Sequence, residues 1–156
     1  MNYNELIENE DVSFGNMPAE PFLTGLLSAF ENRFQACADS FFKEVTWKQF
    51  FTIICVNLCK EAPTLNELAG IMGSSHQNVK QILLKLEKVG FVEFVSDEKD
   101  KRKQRVQTTK KCMEFCKMNE EESQNRLARL YEGVTQEQLM TTIYVISRME
   151  KNLKNM

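Results

Sequence analysis

Residues 64–109 read TLNELAGIMGSSHQNVKQILLKLEKVGFVEFVSDEKDKRKQRVQTT. Within this stretch, Thr64 and Glu67 have the spacing of a capping box, in which each side chain satisfies a backbone N–H of the other residue. They predict a helix that begins at Leu65. The glycine and two serines at 73–75 then predict a sharp turn, because these residue types favour turns over helix interiors.

A second helix is predicted directly after the turn, from His76 to about Val89, with Ser75 as its N-cap and Gly90 just beyond its end. Apolar residues recur in it at helical spacing and predict a buried stripe of Val79, Ile82, Leu83 and Leu86. The opposite face is polar and consists of His76, Gln77, Asn78, Lys80, Gln81 and Lys85.

A β-hairpin is predicted after the second helix. Phe91–Val95 is rich in aromatic and β-branched residues, and Arg105–Thr108 can return beside it with Val106 facing inward. The segment between these strands, SDEKDKRKQ, is too polar to pack. Its cations crowd the tip of the hairpin and are Lys99, Lys101, Arg102 and Lys103.

Two helices, a sharp turn and a cationic hairpin in this order indicate a winged helix-turn-helix that binds double-stranded DNA. The second helix of such a unit places its N-terminal side chains in the major groove, where amides favour adenine. The predicted contacts on the helix are Ser75, His76, Gln77, Asn78, Lys80, Gln81 and Lys85. The wing can reach phosphates or the minor groove. Its predicted contacts are Lys99, Lys101, Arg102 and Lys103, and Asp100 is predicted to brace the wing because its charge would repel phosphate.

The stretch 46–110 resembles the MarR family of bacterial transcription regulators. That family has E-L-A in the first helix of the pair, leucine–glutamate near the end of the recognition helix, a following glycine, and D-x-R in the wing before a valine and a threonine. The matching residues are Glu67-Leu68-Ala69, Leu86-Glu87, Gly90, Asp100-Lys101-Arg102, Val106 and Thr109. The chain departs from the family pattern at Lys101, where arginine is usual, at Thr108, where leucine is usual, and near Cys112, where a glycine is usual.

The resemblance implies a mainly α-helical fold with a small β-wing and a homodimer held by N- and C-terminal helices. It also implies a small aromatic effector bound between the dimer region and the DNA-binding lobe. The aromatic residues that fall in that region are Phe30, Phe34, Phe41, Trp47 and Phe50, although an aromatic stripe is also typical of plain core. Some members respond to oxidants through cysteines, and Cys37 is the candidate redox residue here.

The charge distribution agrees with a local DNA-binding surface. The chain has a net charge of −2, yet residues 74–111 contain ten Lys or Arg and five Asp or Glu, which leaves −7 for the remainder. A local cationic footprint is what electrostatic attraction to phosphate requires. No apolar run is long enough to span a bilayer, and no export signal is recognised. Five cysteines in such a chain predict a cytoplasmic protein with reduced thiols.

The flanking sequence predicts helices with apolar stripes that the winged helix-turn-helix does not need for its own core. One helix is predicted from Pro21 to near Lys43, and a second, capped by Thr46 and Gln49, to about Lys60. The second is predicted to bury Phe50, Phe51, Ile54 and Leu58.

After the wing, a single helix is predicted over residues 109–132, ended by Gly133. A capping box of Thr135 and Gln138 predicts the last helix. Its stripe is Leu139, Ile143, Ile146, Met149 and Leu153. The predicted organisation is therefore a flexible acidic arm (1–20), a dimerisation helix (21–45), the winged helix-turn-helix (46–110) and C-terminal dimerisation helices (111–156). A second copy of the chain would cover the surplus stripes.

No catalytic residue, metal site or cofactor is predicted. His76 is the single histidine and lies on the predicted DNA face, so a Ser/His/Asp or Cys/His set cannot be assembled. Cys55/Cys59 and Cys112/Cys116 are each spaced by four within apolar stripes, which favours buried structural thiols over zinc ligands.

The sequence predicts a DNA-binding transcription regulator, most simply a repressor that recognises a pseudo-palindromic site as a homodimer. Two alternatives remain open. One is a winged-helix protein-interaction module that does not bind DNA, and the other is a protein whose primary chemistry is redox or metal sensing.

Overall fold

The computed structural model describes residue 3, residues 13–98 and residues 100–156. The chain divides into two compact units, one ending at Thr109 and the other spanning Lys110–Met156. The described elements of the first unit are α1 (Ala19–Ala38), α2 (Trp47–Leu58), α3 (Leu65–Ile71), α4 (His76–Lys88), β1 (Val92–Ser96) and β2 (Gln104–Thr108). Those of the second are α5 (Lys110–Met118), α6 (Glu120–Leu130) and α7 (Gln136–Leu153). This mainly helical architecture with one small antiparallel sheet confirms the predicted fold class.

The three predicted capping boxes are present at the starts of α2, α3 and α7. At α3, the backbone N–H of Glu67 donates to Thr64 Oγ1 at 3.3 Å, and the backbone N–H of Thr64 donates to Glu67 Oε2 at 2.7 Å. This second bond favours the ionised carboxylate and holds the pKa of Glu67 below its usual range. At each of these helix starts, the capping groups therefore come from the N-cap residue and the residue three positions later.

The C-terminus of α4 is closed by Gly90, which has a φ of 77° that other residue types rarely adopt. The N–H of Gly90 donates to Glu87 O at 2.8 Å, and the N–H of Phe91 donates to Leu86 O at 2.9 Å. These two bonds form a Schellman motif, which turns the chain from the helix into β1. The predicted buried stripe of α4 is confirmed at all four positions, Val79, Ile82, Leu83 and Leu86.

The core of the first unit lies where α2, α3, α4 and the sheet pack together. Its fully buried aliphatic side chains are Ile53, Leu68, Val79, Leu83, Leu86, Val92 and Val106. Each such side chain contributes about 2 kcal/mol through its removal from water. The inward position predicted for Val106 is confirmed, because that residue is 0% exposed.

The buried face of α2 differs from the prediction. Phe50, Phe51 and Ile54 are half-buried, and Leu58 is 76% exposed. The buried residues are Thr52, Ile53, Cys55 and Val56. Because the WKQFFTIICVNL sequence of α2 is apolar on most sides, hydrophobic spacing could not specify which side meets α3 and α4.

The first helix ends at Ala38, five residues earlier than the predicted end near Lys43. Asp39 follows it, and its carboxylate accepts a hydrogen bond from the backbone N–H of Trp47 at 2.7 Å. Phe42 is buried in the connection between α1 and α2 and is not part of a helix. The aromatic pattern over residues 41–42 therefore belongs to a packed loop.

Most of the predicted acidic arm, residues 1–20, lies outside the described residues. Two of its rings are described, and both contact α1. Tyr3 stacks on Phe22 with a centroid separation of 3.8 Å, and Phe14 meets Phe22 edge-on at 5.1 Å.

The two strands of the wing pair antiparallel, with Phe94 opposite Val106. The wing is also tied to the connection between α2 and α3. The N–H of Val106 donates to Pro63 O at 2.8 Å, and Thr64 and Arg105 form an isolated β-bridge. The position of the wing is therefore set by backbone hydrogen bonds to the start of α3.

A buried charge lies within the polar wing loop, which is contrary to the prediction that this loop is too polar to pack. Asp97 is 5% exposed, and its carboxylate accepts hydrogen bonds from Arg105 Nε and from the N–H of Asp100. Arg105 Nη1 in turn donates to Ala62 O at 2.6 Å and lies 4.0 Å from Glu67 Oε2. The hydrogen bond to Asp97 raises the pKa of Arg105.

In the second unit, the single helix predicted over residues 109–132 is wrong, because the chain forms α5 and α6 with a break at Asn119. Asn119 has φ −100° and ψ 5°, and its side-chain amide donates to Phe115 O at 2.9 Å. The backbone N–H of Asn119 also donates to Phe115 O, at 3.2 Å, so two donors of the same residue share this carbonyl at the break. None of the described helices has the length and hydrophobicity to cross a membrane.

Replacing Asp97 by Ala is expected to destabilise the first unit by about 2 kcal/mol, because the hydrogen bonds that its buried carboxylate accepts from Arg105 Nε and from the N–H of Asp100 are lost. The Arg105 guanidinium keeps its hydrogen bond to Ala62 O. Urea unfolding followed by circular dichroism at one protein concentration measures the change. Glu98→Ala is the matched control, because it removes an exposed carboxylate from the adjacent position. Equal unfolding midpoints for the two variants would contradict a structural role for the Asp97–Arg105 pair.

Candidate nucleic-acid interface

The polar face of α4 that the sequence predicts is exposed to solvent. His76, Gln77 and Asn78 occupy the first turn, and all three are exposed. Lys80, Gln81 and Lys85 continue this exposed polar surface. The buried stripe on the opposite side holds α4 against α2 and α3, so the polar face is supported by a packed core.

The turn before α4 sets the direction in which its N-terminus projects. Gly73 has a φ of 59°, a left-handed conformation, although a Cβ placed there would meet open space. Glycine is therefore required by the backbone and not by crowding. The N–H of Ser74 donates to Ala69 O at 3.0 Å, and Ser75 Oγ caps α4 by accepting from the N–H of Asn78 at 3.2 Å.

Asn78 is held by its side chain as well as its backbone. Its Nδ2 donates to Ser74 Oγ at 2.8 Å, across the turn. Ser74 was not among the predicted interface residues, and its position one residue before the N-cap gave no spacing signal for this bond.

The tip of the wing is closed by short-range hydrogen bonds. The N–H of Asp97 donates to Lys103 O at 3.0 Å, and the N–H of Lys103 donates to Asp100 O at 2.8 Å. Lys101 lies in the turn between them and is exposed. Lys99, also predicted to contact DNA, lies outside the described residues.

Asp100 contacts two of the predicted cationic side chains. Its Oδ1 accepts from the backbone N–H and the Nε of Arg102, both at 3.2 Å, and its Oδ2 lies 3.8 Å from Lys103 Nζ. The Arg102 side chain is nevertheless 92% exposed and that of Lys103 63% exposed. Surface ion pairs of this kind contribute little to stability. Because both side chains are exposed, both cations are accessible to a polyanion.

Two residues that support the wing were missed by sequence reasoning, Asp97 and Arg105. The available signal was an acid at the end of one strand and an arginine at the start of the next, a position from which long side chains meet across a hairpin.

A cleft of about 370 Å³ opens beside the N-terminus of α4. It is lined by Glu31, Gln35, Trp47, Lys48, Phe51, Met72, Gly73, Ser74, Asn78 and Ile82. Of the five predicted pocket aromatics, Trp47 belongs to this lining, whereas Phe30, Phe34, Phe41 and Phe50 do not. The rings of Phe30, Phe34 and Trp47 instead pack in series, with centroid separations of 5.8 and 4.8 Å.

The cysteines differ in exposure. Cys37 is exposed, Cys55 and Cys112 are buried, and Cys59 and Cys116 are half-buried. A hydrogen bond from the Cys112 thiol lowers the pKa of Cys116 to about 7, whereas burial raises the pKa of Cys55. Among the described residues, no group of three or more His, Cys, Asp or Glu side chains is arranged to hold a metal ion.

Residues 45–103 match the sequence model of the MarR family. The matched residues run from the start of α2 to the tip of the wing. Proteins of that family are transcription regulators and not enzymes. No curated protein matches the chain in sequence.

Solved MarR-family structures share the fold over nearly the whole chain. A MarR/EmrR family regulator from Acinetobacter sp. ADP1 has a TM-score of 0.79 at 13% identity and covers 90% of this chain and 100% of its own. The MarR protein from Peptoclostridium difficile has a TM-score of 0.75 at 20% identity, with 92% and 94% covered. MepR from S. aureus, solved in complex with DNA, has a TM-score of 0.72 at 15% identity, with 83% and 96% covered. At these identities the similarity establishes the fold.

Proposed function

We propose that the protein is a sequence-specific DNA-binding repressor that recognises a pseudo-palindromic site as a homodimer. The observation that carries this proposal is the joint exposure, on one compact unit, of the polar N-terminal face of α4 and the cationic wing. The solved MepR–DNA complex shares this fold and supports the same use of it here.

The α4 face supplies the groups that distinguish bases. Gln77, Asn78 and Gln81 carry amides, which pair with adenine through its N6 and N7 atoms in the major groove. The remaining proposed contacts on this helix are Ser75, His76, Lys80 and Lys85. Lysines here add attraction to phosphate, which is the larger part of affinity but does not distinguish sequences.

The wing supplies sequence-independent contacts. Lys99, Lys101, Arg102 and Lys103 are the proposed contacts with phosphate or the minor groove. Asp100 is proposed to act as a brace, because it bonds to the backbone and Nε of Arg102 and so limits the directions the side chain can take. Held in this way, a guanidinium loses less conformational entropy when it binds an anion.

A second copy of the chain is proposed to cover the C-terminal helices. Within α6 and α7 no residue is buried in the single chain. Their large exposed apolar residues are Leu127, Leu130, Met140, Ile143, Tyr144, Val145 and Leu153, with Tyr131 and Val134 between the helices. Apolar exposure on this scale is typical of an interface. A two-fold dimer would place two α4 helices on half-sites roughly 34 Å apart.

Repression follows from occupancy in this proposal. A dimer that covers a promoter excludes polymerase without needing a further activating surface. The same test that identifies the binding site therefore also tests repression, through the position of that site relative to the promoter.

Selection of bound fragments from sheared genomic DNA, using reduced protein at about physiological salt, tests sequence recognition. We expect one inverted repeat with half-sites a helical turn apart, overlapping promoters. On that site, Arg102→Ala is expected to weaken binding and to reduce the slope of log affinity against log salt by about one unit. Lys154→Ala removes an exposed cation outside residues 74–111 and serves as the control. Recovery of no site would refute the proposed function, and an unchanged slope would refute the phosphate contact of Arg102.

Light scattering tests the dimer. The native chain is expected to have twice its 18.2 kDa mass at micromolar concentration. Ile143→Asp is expected to give monomers and to lose the affinity that two half-sites provide together, because a buried unpaired carboxylate is costly in an apolar interface. Thr141→Asp places the same charge at an exposed polar position of α7. A native monomer, or equal dissociation of the two variants, would contradict the proposed interface.

We also propose that a small aromatic acid or cysteine oxidation releases the DNA. The cleft beside α4 offers the rings of Trp47 and Phe51 together with the Lys48 side chain, which would attract a carboxylate. Cys37 is the proposed redox residue because it is exposed. Either signal must favour one arrangement of the two α4 helices in order to change DNA affinity.

A panel of aromatic acids and peroxide tests this release. Because Trp47 is the single tryptophan, its fluorescence reports binding in the cleft. We expect at least one acid to quench it and weaken DNA binding, and Lys48→Ala to reduce both effects, whereas Lys60→Ala retains them. Cys37→Ser is expected to abolish the peroxide response. Unchanged fluorescence and DNA affinity across the whole panel would contradict release by either signal.

A further inference from the structure

The Asn78 side chain is fixed before any DNA is present. Its Nδ2 donates to Ser74 Oγ at 2.8 Å, and its backbone N–H donates to Ser75 Oγ at 3.2 Å. Ser74 is itself half-buried, and its backbone N–H is bonded to Ala69 O at 3.0 Å. The acceptor that holds the Asn78 amide is therefore a side-chain hydroxyl on a residue whose backbone is hydrogen-bonded within the turn.

The bond to Ser74 uses only part of the amide. A primary amide has two N–H donors and one carbonyl oxygen with two lone pairs. After one N–H is given to Ser74, one N–H and Oδ1 remain. These are the two groups that a bidentate contact with the N7 and N6 atoms of adenine requires. Asn78 lies in the first turn of α4, the part of a recognition helix that meets base edges.

We propose that Ser74 is a positioning residue for base recognition, and that the Ser74–Asn78 pair selects adenine at one position in each half-site. The proposal rests on the sequence-specific DNA binding proposed above. Ser74 itself touches no base in this account, and it acts by fixing the orientation in which Asn78 enters the groove.

The hydrogen bond should affect discrimination more than general affinity. A side chain that is ordered in the free protein loses less conformational entropy on binding, and that advantage is gained only when the correct base accepts the presented edge. Attraction to phosphate depends on the cations of the wing and of α4, and Ser74 contributes no charge to it. A purely structural serine would instead change stability and leave the base preference intact.

The experiment measures the affinity of the full-length protein for its selected operator and for a panel in which each half-site position is substituted in turn. The Asn78→Ala variant identifies the position that Asn78 recognises, because this variant is expected to lose the preference for adenine at that position. Ser74→Ala is expected to reduce the preference for adenine at that same position about fivefold, with an unchanged salt slope. Ser74→Thr keeps the hydroxyl and is expected to restore the preference. Ser40→Ala removes an exposed serine that bonds to the end of α1, and is expected to behave as wild type.

The double variant separates positioning from a general effect on the turn. If Ser74 acts through Asn78, Ser74→Ala adds no further loss of preference in the Asn78→Ala background. A Ser74→Ala variant that unfolds at lower urea concentration but keeps the wild-type base profile would overturn the proposal. Additive losses of base preference in the double variant would also overturn the proposal. The same holds if the Asn78→Ala variant keeps the base preference of the wild type at every position while the wild type still selects one site. If the wild type itself binds all sequences alike, the proposed function fails first, and this inference fails with it.

Discussion

The ion pair between Asp97 and Arg105 connects the wing to the helix-turn-helix of the first unit. It bridges the two strands of the wing, while Arg105 also bonds to Ala62 O before α3. The charge on Asp97 is almost completely buried, so Asp97 without Arg105 would be costly. Together with the backbone hydrogen bonds between β2 and the start of α3, it relates the cationic tip of the wing to the helix-turn-helix, and the proposed role of the exposed lysines and arginine depends on that relation.

Order at the proposed interface is built from short polar contacts that are present without DNA. Asp100 holds the Nε of Arg102, and Ser74 holds the amide of Asn78. Each contact leaves hydrogen-bonding capacity on the same side chain, because a guanidinium and an amide both carry several donors. The surface can therefore be ordered in the free protein and still available to a partner. The apolar faces of α6 and α7, in contrast, are exposed in the single chain, and the proposed dimer would cover them.

Local sequence determined much of the fold before any tertiary contact was considered. Three Thr/Gln or Thr/Glu capping boxes, the N-cap at Ser75 and the glycine at 90 each act on neighbouring residues, and all are found where the spacing placed them. The buried stripe of α4 was equally predictable because its other face is strongly polar. The polar face of α4 and the cations of the wing were also predictable as surface features, and their roles in binding stay predictions.

Only the tertiary structure decided the features that depend on residues distant in sequence. At the end of α1, Asp39 accepts a hydrogen bond from the backbone N–H of Trp47. The buried face of α2 depends on α3 and α4, since α2 is apolar on most of its sides. The burial of Asp97 depends on Arg105, its partner across the hairpin. Caps and periodic stripes were determined by the sequence because they involve residues three or four apart. Partners across the fold were not, because their proximity is created by folding itself.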